Sequence, residues 1–377
     1  MSDSSALDGL EVYLVGGAVR DRLLGHPYSD HDWVVVGSSV DEMLARGFLQ
    51  VGRDFPVFLH PDTDEEYALA RTERKAGRGY TGFEVHASPQ VTLEQDLERR
   101  DLTINAIAER LDGSLVDPFG GVADIEARRL RHIGPAFVED PLRVLRLARF
   151  DARYAPLGFQ PAESTLALCK QLAHAGELGE LAAERVQQET FKALSERQPD
   201  RYFTTLFRAD ALSPWFAELE DKSRFESCLS SLARAVETDI RDAAPRWAAL
   251  VLPLEDEQRS ALAERLKLPT EVRELARLLA LSVERLNHSC CDADRWLGWC
   301  NSVDIWRKPE RWSRLLPLLS VYAPLLDTDT LGVRLEQARA LSPRLWVEQG
   351  IKGKQIGEYL AKARHAVLAG DAPVNKK

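Results

Sequence analysis

Apolar positions change their rhythm along this chain near residue 135. Before it they come in short runs rich in Val, Phe and Tyr, cut by Gly, Asp and Pro. Strands are predicted at Glu11–Val15, Asp32–Val36, Val57–Leu59, Tyr67–Arg71 and Leu115–Val116. After it apolar residues recur at the spacing of one helix face, as in Pro141–Arg153, Ser164–Ala173, Ala183–Leu194 and Thr270–Leu286. Prolines at 199, 214, 245, 269, 309 and 343 punctuate the string. The pattern predicts an α+β head followed by helices, with frayed ends at Met1–Asp8 and Ala372–Lys377.

Composition narrows the class. At 377 residues the chain exceeds one small core, and 45% hydrophobic residues suit ordinary globular folding. A net charge of −10 argues against a non-specific nucleic-acid coat, so any RNA must meet a local basic stripe. Five cysteines without paired C-x-x-C spacing predict reduced thiols rather than a zinc site. No basic and apolar leader and no run of membrane-spanning length is present, which points to a cytoplasmic protein with no membrane partner.

Two early runs carry chemistry. Gly16-Gly17 follows an apolar strand and precedes a helix read over Ala18–Leu24, a turn whose free N–H groups can hold a triphosphate. Asp30 and Asp32 alternate on an extended segment, so their carboxylates share one face. Their repulsion calls for divalent cations, Mg²⁺ pairs that activate a hydroxyl and neutralise pyrophosphate. Each Asp alone also suits a turn cap or a solvated strand edge. In this order and spacing the pair reads as a nucleotidyl-transfer site.

Two further runs complete a pattern. Arg99-Arg100-Asp101-Leu102-Thr103-Ile104-Asn105-Ala106 offers cations and amides suited to ribose and phosphates, with Arg100, Asp101 and Asn105 as candidates. Asp140, Arg143, Arg146 and Arg149 recur every third residue, an arginine stripe on one side of a predicted helix, or else an exposed salt-bridged face.

With Arg20-Asp21 after the glycines, these four runs resemble the successive motifs of class II tRNA nucleotidyltransferases, the bacterial and eukaryotic CCA-adding enzymes. The resemblance is dense from Glu11 to Arg153. It continues through Asp304-Ile305-Trp306-Arg307-Lys308-Pro309-Glu310-Arg311 and Gly353-x-x-Ile356-x-x-x-Leu360, which are similar to stretches of the bacterial subgroup. It implies a DNA polymerase β-like nucleotidyltransferase head over 1–135, a helical neck with a nucleotide-selecting helix over 136–200, and an all-α, tRNA-binding body and tail over 201–377. It implies template-independent addition of CCA to the 3′ end of tRNA from CTP and ATP, with Mg²⁺ on Asp30 and Asp32, Glu66 as a third catalytic acid, and contacts to the acceptor arm. Gly16, Gly17, Arg20, Arg100, Asp101 and Asn105 would bind the nucleotide. Asp140 and Arg143 would choose it, and Arg146 and Arg149 would face phosphates or brace the pocket. The segment Arg71–Phe83, with three glycines and clustered cations, is expected to be a mobile loop that favours full CCA over CC addition. The His-Asp hydrolase domain of many relatives is expected to be missing, since only His288 and His365 follow His174. A poly(A) polymerase of the same superfamily and a catalytically silent tRNA-binding protein are the alternatives.

Overall fold

A computed structural model describes residues 6–27, 31–51, 57–75, 83–286 and 292–371. It forms two compact units, Met1–Glu220 and Asp221–Lys377. Among the described residues, no helix is long and apolar enough to cross a membrane.

The first unit is built on a seven-stranded sheet. Its strands are β1 (Glu11–Val15), β2 (Asp32–Val36), β3 (Leu49–Val51), β4 (Val57–Leu59) and β5 (Glu66–Leu69), with β8 (Ala108–Arg110) and β9 (Leu115–Val116) following a separate hairpin of β6 (Arg71–Lys75) and β7 (Phe83–Ala87). The order across the sheet is β3-β4-β5-β2-β1-β8-β9. Within this sheet β2 and β5 run parallel, with Asp32 aligned to Glu66 and Val34 to Ala68.

Alternation along the strands covers both faces. Tyr13, Val15, Val34 and Ala70 pack with Leu93 and Leu97 of helix α3 (Leu93–Glu98). Val12, Val35, Phe58, Tyr67 and Leu69 pack on the other face with Met43 of α2 (Val40–Ala45). Asp32 shares the α3 face with Val34 because residues two apart in a strand point the same way. Helix α1 (Gly17–Leu23) follows β1, and α4 (Gly121–Glu126) packs against the turn Thr103–Asn105. That approach requires a glycine, since a Cβ on Gly121 would stand 2.3 Å from the Thr103 carbonyl oxygen.

Four helices complete the unit: α5 (Leu142–Tyr154), α6 (Glu163–His174), α7 (Ala183–Leu194) and α8 (Asp200–Arg208). The first lies at the centre, with Val144, Leu145, Leu147 and Ala148 each at most 1% exposed. The compact division falls beyond the expected boundary at residue 200, because α8 is tied to α5. Asp151, fully buried, accepts from Thr205 Oγ1 at 2.6 Å and pairs with Arg201 at 3.2 Å.

The second unit is helical: α9 (Lys222–Glu237), α10 (Ala243–Val251), α11 (Asp256–Arg265), α12 (Thr270–Leu286), α13 (Ala293–Ser302), α14 (Glu310–Tyr322), α15 (Thr328–Arg339), α16 (Arg344–Glu348) and α17 (Lys354–Ala369). Trp247, Trp296 and Trp299 fill its interior. Cys169 and Cys300 are buried, as is Cys228; burial pushes each thiol up to about 12. Cys290 and Cys291 lie outside the described residues.

Two expectations need correcting. The run read as a strand over Tyr67–Arg71 is β5 ending at Leu69, with Arg71 opening the next strand. The segment Arg71–Phe83, read as a loop, begins and ends in strands: Arg71 pairs with Ala87 and Lys75 with Phe83. Residues 76–82 between them lie outside the described residues.

Candidate active site

The acidic half of the site comes from the start of two neighbouring strands. Asp32 and Glu66 are register partners, so their α-carbons lie about 4.8 Å apart, the spacing of adjacent strands. Both are exposed and line one cavity, and neither makes an ion pair or side-chain hydrogen bond with a described residue. Two bare carboxylates side by side, in a cavity rich in guanidinium groups, form a hard-oxygen set that fits a divalent cation such as Mg²⁺. Asp30 lies outside the described residues. Among the described residues, no group of three or more His, Cys, Asp or Glu side chains is gathered for a metal.

Opposite stands the glycine turn. Gly16 has φ 70° and ψ −123°, a conformation open to glycine alone, and a Cβ there would lie 2.8 Å from Arg100 Nη1. Removing the side chain lets Arg100 lie against the turn. Arg20 is buried at 5% exposure. It binds Asp21 through Nε at 2.8 Å and Nη2 at 3.0 Å, and donates through Nη1 to Asn105 Oδ1. Asp21 also accepts from Tyr154 at 2.8 Å and meets Arg153 at 3.3 Å, so α1 is pinned to the end of α5.

Asp101 pins the middle of α5. Its Oδ1 accepts from the Leu102 N–H and from Asn105, both at 2.8 Å, and its Oδ2 accepts from Arg146 Nε at 2.7 Å. Burial alone would raise this carboxyl; the Arg146 charge and the hydrogen bonds outweigh it and hold it at about 2. Asp101 is therefore ionised at neutral pH, with both oxygens occupied by protein donors.

The arginine stripe differs from its sequence reading at one end. Asp140 is not on the helix: its φ of −119° and ψ of 101° are extended, and α5 starts after Pro141. A residue before proline avoids helical backbone, and here the Asp140 carboxylate caps the helix instead, accepting from the Leu142 N–H at 3.1 Å. The same carboxylate binds Arg185 of α7 at 2.9 Å. Arg143 donates to the Ala136 carbonyl at 2.8 Å and to the Arg99 carbonyl. Arg149 pairs with Glu189 of α7 at 2.6 Å.

Most of these groups line a single cavity of about 610 Å³. Gly16, Gly17, Arg20, Asp32, Glu66, Arg100, Asp101, Asn105, Asp140, Arg143, Arg146 and Arg149 line it, so each described candidate from the sequence is present. Nine arginines face four carboxylates there. In a chain of net charge −10 this local cationic excess suits a polyanionic ligand. Sequence reasoning missed Arg185 and Arg153 on the wall and Glu189 behind it. Nothing near Asp140 or Arg149 in sequence points to α7, some 40 residues away.

Known proteins resemble this chain over most of its length. Residues 12–131 match the family model "Poly A polymerase head domain", and residues 158–223 match "Probable RNA and SrmB-binding site of polymerase A". A CCA-adding enzyme of Marinobacter nauticus is 46% identical over 365 residues, 95% of this chain and 97% of the relative. One from Pseudomonas putida is 48% identical over 95% of this chain and 98% of the relative. The structure of the Bacillus stearothermophilus CCA-adding enzyme in complex with CTP is 25% identical and superposes with a TM-score of 0.68 over 97% of this chain and 91% of that one. The Thermotoga maritima enzyme complexed with tRNA shares the fold at 23% identity and a TM-score of 0.66, covering 98% of this chain and 90% of that one. Similarity at this level across nearly the whole length, head and helices together, places the chain in the family of CCA-adding enzymes.

Proposed function

We infer that this chain adds the 3′-terminal CCA to tRNA from CTP and ATP, releasing pyrophosphate and using no nucleic-acid template. The observation that carries the reading is the cavity, where two bare carboxylates face an arginine-lined wall within one unit. The tRNA 3′-hydroxyl attacks the α-phosphorus, a new P–O bond forms, and the bond to pyrophosphate breaks. Divalent-metal dependence belongs to the nucleotidyltransferase family; Mg²⁺ is the ion proposed here, held by Asp32 and Glu66 with Asp30, and when bound it supplies charge to activate the hydroxyl and offset the leaving group.

The chain's own groups do the rest. Arg20 and Arg100, beside the Gly16-Gly17 turn, hold the triphosphate, and Asn105 meets the ribose side. Base choice falls to Asp140 and Arg143. A carboxylate accepts from the exocyclic amine of cytosine or adenine, and a guanidinium donates to a ring acceptor, so both bases fit while the keto edges of uracil and guanine do not. Rigidity makes this edge selective: Arg185 orients Asp140, and two backbone carbonyls orient Arg143. Asp101 and Glu189 brace Arg146 and Arg149 rather than meeting the nucleotide. The switch from C to A is assigned to the segment from Arg74 to Gly82.

Extension of a tRNA ending at the discriminator base tests the selection step. Arg143→Ala is expected to admit UTP or GTP where the wild type rejects them; a uniform loss of rate with unchanged selectivity refutes the role. An ATP-only arm that builds a run of A supports a poly(A) polymerase instead.

A further inference from the structure

Among the described residues, the second unit holds a charge without a counterpart. Arg364, on α17, is only partly exposed, and none of its N–H groups reaches a carboxylate or any other acceptor among the described residues. Its Nε is fully enclosed and unpartnered. What it does meet is a ring: the guanidinium carbon lies 4.1 Å from the centre of Trp306. Cations nearby are matched. Arg307 pairs with Asp304 at 2.9 Å and Lys308 with Glu274 at 3.9 Å.

A half-buried cation that gives up water without gaining an acceptor destabilises the free protein. The arrangement does hold the guanidinium ready for an anion. Trp306 covers one face, and its own indole N–H is fixed on Asn301 at 2.7 Å, so the ring plane is set. A guanidinium lying over an aromatic ring keeps its N–H groups free to donate, and with Nε enclosed it is the terminal Nη pair that can meet phosphate oxygens. Both residues belong to or lie beside the two sequence runs singled out in the helical half. Trp306 belongs to Asp304–Arg311, and Arg364 lies one turn beyond Leu360 of the Gly353 run on the same helix.

We propose that Arg364, seated over the Trp306 ring, is a contact residue for a phosphate of the tRNA backbone. The proposal rests on the tRNA reading above, which supplies a polyanion large enough to engage a second unit.

Equilibrium binding of tRNA lacking its CCA, measured from about 50 to 300 mM KCl, tests it with wild type, R364Q and R364K. For R364Q, affinity at low salt is expected to fall about tenfold and the slope of log K against log salt to lessen by about 1, the signature of one lost phosphate contact. R364K is expected to keep the slope and recover part of the affinity. Thermal unfolding separates a structural role. Removing an uncompensated charge leaves the melting temperature unchanged or raised, whereas a packing role predicts a lower one. Unchanged affinity and slope in R364Q, or a lower melting temperature with an unchanged slope, overturns the proposal and leaves the tRNA reading intact. A wild type that fails to bind tRNA at any salt overturns both.

Discussion

Replacing Asp101 by Asn isolates the charge that fastens α5 to the head. The amide keeps the shape and can still accept from Leu102 and Asn105, but its NH₂ group faces Arg146 in place of an ionised oxygen. The folded carboxyl titrates at about 2 against an ordinary value of 3.8. A tenfold change in proton affinity corresponds to about 1.4 kcal/mol, so the ionised form contributes on the order of 2 to 3 kcal/mol. Arg146 is 35% exposed and regains water when its partner is lost, which keeps the cost below that of a fully buried broken pair. A loss of about 2 to 3 kcal/mol is expected at pH 7. In urea unfolding followed by circular dichroism, that is a midpoint shift of about 1 M for the transition that unfolds the first unit. The sign with pH follows from a lowered folded value: the contribution is complete well above pH 3.8 and is lost as pH falls through 2. The gap between wild type and variant should therefore hold from about pH 7 to pH 5 and narrow by about 1 kcal/mol at about pH 3. An unchanged midpoint at pH 7, or a gap that widens with acid, refutes the assignment of Asp101 as an ionised brace.

Other changes probe separate parts of the molecule. Asp32→Ala is expected to lower nucleotide incorporation at least about 10³-fold while tRNA affinity stays within about twofold, read by gel extension and by binding; retained turnover rules out a catalytic carboxylate at this position. Gly16→Ala forces a side chain into glycine-only backbone and against Arg100, and should cost about 1 to 3 kcal/mol and raise the KM for nucleotide. Gly121→Ala, which meets backbone rather than a movable side chain, should cost about 3 kcal/mol or more in the same unfolding assay with no specific effect on KM. Cys169, Cys228 and Cys300, with thiols pushed up to about 12, should resist alkylation at pH 8 until urea unfolds the chain; mapping by mass spectrometry checks this.

Much of the site was legible because its parts are local. The apolar run that carries Asp32 as a strand, and the glycines between β1 and α1, are short-range patterns, and the structure forms both, while Asp30, the other half of the acidic pair, lies outside the described residues. Asp140 falls off the helix despite its three-residue spacing, because the ring of Pro141 bars the preceding residue from helical backbone. The β6 strand was hidden differently. Arg71-Thr72-Glu73-Arg74-Lys75 has no apolar face, so no period of two stands out, and only its pairing with β7 identifies it. Arg185 and Glu189 depend on α7 folding back against α5, a tertiary contact with no trace in local sequence. The unit boundary is similar in origin, since the burial of Asp151 against α8 is invisible until both helices are placed.

Ordered, untemplated addition of three nucleotides is the central claim, and one measurement meets it directly. Purified protein, Mg²⁺ and a tRNA ending at the discriminator base are incubated with CTP, with ATP, or with both, and the products are resolved at single-nucleotide length. Two additions are expected with CTP alone, none with ATP alone, and three with both, the last being A. An A run from ATP alone, a stop at two with both nucleotides present, or no extension in any arm contradicts the claim.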